Sequence, residues 1–430
     1  MNILQMGMFG NRESTPPFIG DSGIPAYCVK KIGSRHILIA GGGGAAKTGV
    51  RNEIQTHLFT TGSANKEVGF QSQCVDTFDT GAMATMNMDV ACAIDENSAR
   101  YVIAAGQDDI CVLYMTRGFK LNEQENNSLA FEMKRVGQVR TDHHPTSSYQ
   151  KCVRFDKGSR GKTFATGGAD GRIRIWDAQV VFRADDGNAE PIRTIQAHKK
   201  DVDDIDFSSD SKSLISVGAD GAFIWSTQTG ERLYDLQFPL ELSRGFKVRS
   251  VRCTPLGNEN GNTVFVAAYN SISRKEGEEA CYLSLWVFNN ERRVARPIVT
   301  KRVSKNESIS SLTVSDCGNF TAVGTMAGAV GVFDSHEFRR LYFAPKTHGL
   351  FVTGIEFVSK TAPPICDDIT RDTPGISSGF QSAVVTLAAD RTMQLHRVPY
   401  PQPQPFSEFL FIISLICFFF VLLSSFFIVA

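Results

Sequence analysis

The segment Phe164-Ala-Thr-Gly-Gly-Ala-Asp170-Gly171-Arg-Ile-Arg-Ile-Trp176-Asp177 is two alternating runs of residues on either side of a Gly-Ala-Asp-Gly turn. Alternation with period 2 sends successive side chains to opposite faces of a strand, and Asp-Gly supplies the backbone angles of a tight hairpin. The motif returns as Leu214-Ile-Ser216-Val-Gly-Ala-Asp220-Gly221-Ala-Phe-Ile-Trp225, with its turn about 50 residues later. Looser copies centre on Asp108, on Val264–Asn270 leading to Trp286, on Ala327 and on Asp390, and a seventh is His36–Gly44. Turns near 42, 108, 170, 220, 270, 327 and 390 are about 50 to 66 residues apart, more than the roughly 40 to 45 of an unadorned WD-type blade. The excess is expected in loops.

A four-stranded blade that is apolar on both faces hides them only by stacking on neighbours until the ring closes. The expected fold is therefore all-β, a seven-bladed WD-type β-propeller. In the fourth blade His198, Ser216, Asp220 and Trp225 occupy positions that can form one buried hydrogen-bonded chain, which reads as a structural lock rather than a catalytic pair. Further strands are expected at Val202–Phe207, Val248–Val251 and Ile309–Val314.

The two ends differ. Met1–Pro25 lacks the basic region and apolar run of a secretory signal, so the bulk of the chain is expected in the cytosol. Phe409–Ala430 carries no charge, and as a helix it would reach about 33 Å against a hydrocarbon core of about 30 Å. Arg391 and Arg397 precede it, in keeping with a cytosolic flank. The segment Pro399–Pro405 cannot form helix and favours an extended polyproline stalk. The domain reading is thus an N-terminal segment at 1–25, a cytosolic propeller at 26–398, a Pro-rich stalk at 399–405 and one C-terminal transmembrane helix at 406–430.

Where the first blade should have a two-residue turn, the sequence instead runs Gly41-Gly42-Gly43-Gly44-Ala-Ala-Lys47-Thr48-Gly49-Val50-Arg51-Asn52-Glu53. Gly41-x4-Ala46-Lys47-Thr48 approaches a phosphate loop, but its last glycine is missing and no helix follows to present amide groups to a phosphate. A plain flexible hairpin and an ordered protruding loop are the other readings. In the third, glycines turn carbonyl groups inward around a weakly bound cation while Val50 and Asn52 project towards a partner. Spacing alone does not choose.

Pro25-Ala-Tyr-Cys-Val, the GGGGAAKTGVRN loop and the degenerate repeats, followed by one apolar terminal run, resemble the endoplasmic-reticulum exchange factors for Sar-type small GTPases. Animal members of that family are also called prolactin regulatory element-binding protein. The resemblance implies a membrane-anchored guanine-nucleotide exchange factor that promotes GDP release from its GTPase, starting COPII vesicle coat assembly. No covalent chemistry is implied. Carried over, Gly41, Gly42, Gly43, Gly44, Lys47, Thr48 and Gly49 match the GTPase-contact loop, with Val50 and Asn52 as its acting contacts. Potassium on the main-chain carbonyls of Gly42, Gly43 and Gly44 is implied in the same way. Arg51 and Glu53 depart from the family pattern by placing charges where smaller or uncharged residues are expected.

Composition limits the alternatives. Lys and Arg number 45, matching 45 Asp and Glu, so nothing recommends a nucleic-acid backbone as partner. No GxSxG, HExxH or close carboxylate pair marks a hydrolase. The pair His143-His144 beside Asp142 sits in a polar loop, where adjacent histidines point different ways and make a poor metal site. A non-catalytic scaffold at the membrane is the competing reading. The ten cysteines contain no CxxC pair and are expected to be reduced.

Overall fold

Each of the turns read from the sequence joins the second and third strands of a four-stranded antiparallel sheet, and there are seven such sheets. The computed structural model describes residues 17–429, apart from 47–48, 65–66, 96–97, 123–127, 185–187, 241, 243–244, 257–260, 274–278, 361–374 and 402–405. Blade 1 is built from Ala26–Ile32, His36–Gly41, Glu53–Ala64 and Glu67–Asp79, innermost strand first.

His36–Gly41 shows why the chain closes into a ring. All six residues are buried. Ile37 and Ile39 join the core shared with blade 7, whereas Leu38 and Ala40 join the core shared with blade 2. A strand apolar on both faces needs a sheet on each side, and the molecule accordingly holds its core as separate clusters between neighbouring blades. Trp176 and Trp286 lie within these cores, where fully burying a large apolar side chain contributes about 1.5–3 kcal/mol.

Ring closure corrects one expected boundary. Blade 7 consists of Val352–Phe357, Ser382–Ala388 and Thr392–Val398, and its outermost strand is Phe18–Asp21 from the segment expected to lie outside the propeller. Ile19 on that strand joins the core between blades 7 and 1, so the two ends of the ring are fastened by a strand that comes from the other end of the sequence.

The tetrad expected in blade 4 is formed. His198 Nδ1 lies 2.5 Å from Asp220 Oδ1 and Nε2 lies 2.8 Å from Ser216 Oγ, which also accepts from Trp225 Nε1 at 2.8 Å. Blades 3 and 5 keep the tryptophan end of the device: Trp176 donates to Thr166 and Trp286 to Tyr269. In blade 7, His348 bridges Thr386 and Thr392 instead.

In an antiparallel sheet of consecutive strands, the turn between the second and third strands and the linker into the next blade share one end. The glycine loop therefore lies on the face that also carries every blade-to-blade linker. The innermost strands line a channel of about 220 Å³, and Lys30 on that of blade 1 pairs with the innermost strands on either side, with Asp89 of blade 2 at 3.0 Å and Glu356 of blade 7 at 3.5 Å.

Residues 1–398 and 399–430 are two separate compact units. The second contains the helix Phe406–Val429. From Leu410 to Val421 its side chains are exposed. Among the described residues no helix is long and apolar enough to cross a membrane, so the expected transmembrane helix at 406–430 is not supported. The stalk at 399–405 falls largely outside the described residues.

Candidate functional site: the glycine loop of blade 1

The loop leaves one strand at Gly41 and rejoins the next at Glu53, which pair across its base. Two of its glycines are demanded by space. A Cβ on Gly41 would sit 1.9 Å from the Pro25 carbonyl oxygen, and one on Gly42, whose φ is 138°, would meet Asn52 Oδ1 at 2.3 Å. Gly44 and Gly49 also have positive φ, 69° and 77°, but nothing crowds them.

Three hydrogen bonds from one side chain fix this base. Asn52 Oδ1 accepts from the Gly44 amide at 2.8 Å, and Nδ2 donates to the carbonyls of Gly44 at 3.1 Å and Gly81 at 3.0 Å. Its own carbonyl accepts from the Thr80 amide. Thr80 and Gly81 belong to the linker into blade 2, so Asn52 ties the loop to the neighbouring blade. On the other side the Gly42 amide donates to Pro25, and Tyr27 Oη donates to the Gly42 carbonyl at 3.1 Å.

This arrangement corrects the expectation that Asn52 projects towards a partner. Asn52 is only 7% exposed, because an amide side chain has donors and acceptors enough to satisfy the glycine backbone that turns around it. Val50 does face solvent, at 38% exposure, as do Ala45, Ala46, Gly49 and Arg51. Lys47 and Thr48 lie outside the described residues. Glu53 turns back along the sheet, accepting from Gln55 Nε2 at 2.7 Å.

The loop leads into a strand, leaving no helix N-terminus for a phosphate. Two of the three carbonyl oxygens expected to hold potassium, those of Gly42 and Gly44, each accept a hydrogen bond, from Tyr27 and Asn52. Among the described residues no cluster of His, Cys, Asp or Glu could hold a metal ion. Asp142 instead caps its own loop, accepting from the amides of His144 and Asp170 at 2.9 Å each.

Tyr27, within Pro25-Ala-Tyr-Cys-Val, and Gly81 are the two members of the site that had no expected role. Tyr27 had a signal, a phenol placed at the start of the strand beside the glycines; Gly81 had none, because its contribution is a backbone oxygen.

The WD domain, G-beta repeat family matches residues 137–177 and 189–224, which cover blade 3 and most of blade 4. The chain is 26% identical over 416 residues to the guanine nucleotide-exchange factor SEC12 of Rattus norvegicus, covering 89% of this chain and 90% of that protein. The SEC12 protein of Mus musculus matches to the same extent. SEC12-like protein 2 of Arabidopsis thaliana is 24% identical over 235 residues, 54% of this chain and 50% of its own length.

Proposed function

Homology to the SEC12 guanine nucleotide-exchange factors is the premise from which we propose that this chain accelerates GDP release from a small GTPase of the Sar type, with the glycine loop of blade 1 as the acting element. The observation that carries the reading is the loop's construction: a base fastened by Asn52 and Tyr27, and a tip of small exposed residues ending in Val50.

The activity follows from differential binding. A factor that holds the nucleotide-free GTPase more tightly than the GDP-bound form lowers the barrier to release, and about 4 kcal/mol of that difference corresponds to roughly a thousandfold in rate. A loop anchored on a rigid ring enters a partner's nucleotide site with little conformational entropy left to lose. Glycine and alanine at the tip allow backbone to approach where larger side chains would be excluded. In this division Val50 is a contact, and Asn52 is a positioning residue that acts through Gly44.

Attachment to the endoplasmic-reticulum membrane through 406–430, with exchange starting COPII coat assembly there, completes the proposal. Its support is the uncharged run Phe409–Ala430 and the family resemblance. Flotation of the full chain with liposomes, lost on removal of 406–430, tests the attachment. Release of a fluorescent GDP analogue from a Sar-type GTPase, with and without the propeller, tests the activity.

A further inference from the structure

The glycine loop cannot hold a partner by itself. A stable interface takes about 800 Å² and some 20–30 residues from each side, and its energy concentrates in large buried anchors. The described tip offers Ala45, Ala46, Gly49, Val50 and Arg51, among which no aromatic side chain occurs. The rest of the contact must come from neighbouring loops on the same face.

Those loops are not alike. Towards blades 3 and 4 the face carries polar and charged side chains, with His143, Lys199 and Lys200 exposed. On the other side it carries Phe238 and Leu240 in the linker into blade 5, Ile272 and Met326 in the turns of blades 5 and 6, and Leu350 and Phe351 in the linker into blade 7, all exposed. Leu240 is 101% exposed and buries nothing within the fold. Phe238 is held in place against Tyr269, with ring centroids 5.9 Å apart.

Backbone hydrogen bonds register this arc along its length and join it to the glycine loop. Ile272 donates to Gly245, Met326 to Ser308, His348 to Gly328, Ala389 to Phe351, Ser22 to Arg391 and Gly42 to Pro25, at 2.8–3.1 Å. Large apolar side chains gathered on one half of one face, with polar loops opposite, are the signature of a protein-docking surface. Exposed basic side chains, Lys305, Lys346 and Arg391, lie among the arc's loops as well, and it is the arc's continuity with the glycine loop that assigns it to the partner of that loop.

We infer that Phe238, Leu240, Ile272, Met326, Leu350 and Phe351 form the affinity surface for the same small GTPase whose nucleotide the glycine loop loosens, receiving an apolar patch on that partner. The inference rests on the exchange reading and divides the labour: the arc sets how tightly the GTPase is held, the loop sets how fast it releases GDP.

The test uses residues 1–398, the compact unit that holds all seven sheets, in a titration of GDP release from a Sar-type GTPase carrying a fluorescent GDP analogue. Leu240→Asp is expected to raise the half-saturating concentration about threefold or more, and Leu240→Asp with Phe351→Asp at least tenfold, with the maximal rate within twofold of the parent. Ile298→Asp, on an exposed outer strand, serves as the off-face control and should change neither. Should the double variant lose its melting transition, Leu240→Asp alone decides, since that side chain supports no core. A parent that fails to accelerate release overturns the exchange reading. A parent that accelerates release, with variant curves lying on its own, overturns the inference alone. Loss of liposome binding by Leu240→Asp with unchanged exchange in solution would also overturn it, by assigning the arc to lipid.

Discussion

Blades 1 and 4 solve the same topological problem in opposite ways. In blade 4 the second and third strands meet at Gly218 and Gly221, and the turn is locked by the Asp220–His198–Ser216–Trp225 chain. In blade 1 the equivalent connection is the loop from Gly42 to Asn52, whose base is locked while its tip reaches solvent. The lock in blade 4 uses side chains to bind side chains and serves stability. The lock in blade 1 uses one amide to bind backbone and leaves the loop available to a partner. A repeat can carry function where it stops repeating, provided the departure is anchored as firmly as the turn it replaces.

The sharpest way to break this contrast is to unfasten blade 1. Asn52→Ala leaves the Gly44 and Gly81 backbone groups without their partner, at about 1 kcal/mol for each lost hydrogen bond, and should slow GDP release at least tenfold with a melting shift of only a few degrees. Gly42→Ala, which forces a Cβ onto Asn52, should do the same. Asp220→Ala is the mirror experiment: chemical denaturation should show a stability loss of about 1–3 kcal/mol, with exchange per folded molecule unchanged.

Acid separates the ring as a whole from the glycine loop. Burial pushes His36, His57 and His348 down to about 4 and His396 to about 3, whereas the unfolded chain takes up these protons near 6.5. Above 6.5 both states are neutral and the histidines contribute no pH dependence. As pH falls from 6.5 towards 4 only the unfolded state gains protons, so stability should drop by up to about 1.4 kcal/mol per histidine per pH unit. Melting followed across that window checks the sign, and a flat profile would contradict it. The hydrogen bonds of Asn52 join a neutral amide to backbone groups, so exchange normalised to folded protein should not follow the melting curve.

Smaller effects refine the picture. Tyr27→Phe removes one hydrogen bond to Gly42 and should slow release about two- to threefold. Replacing potassium by sodium should change little, because the Gly42 and Gly44 carbonyls are already engaged; a strong potassium dependence would show that the donors on Tyr27 and Asn52 give way to an ion.

What the sequence made legible depended on the distance over which each feature is written. Blade number could be read because every hairpin carries its own turn signal, as at Asp170 and Asp220. The strand Phe18–Asp21 could not, since four residues give little period and their partner strand is Thr392–Val398, far along the chain. Within the loop, the position of the glycines was visible but the direction of Asn52 was not: no repeating pattern governs a connection of this kind, and an asparagine reads equally well as a contact or a clasp. The apolar arc was invisible for a related reason. It is assembled from one or two residues in each of several loops, and only closure of the ring brings them to one face.

The most direct test of the account compares residues 1–398 with the Asn52→Ala variant in a single assay of GDP release from a Sar-type GTPase. The account predicts strong acceleration by the parent and at least a tenfold loss in the variant while its melting transition persists. Equal rates for the two proteins would place the acting surface away from the glycine loop and contradict it.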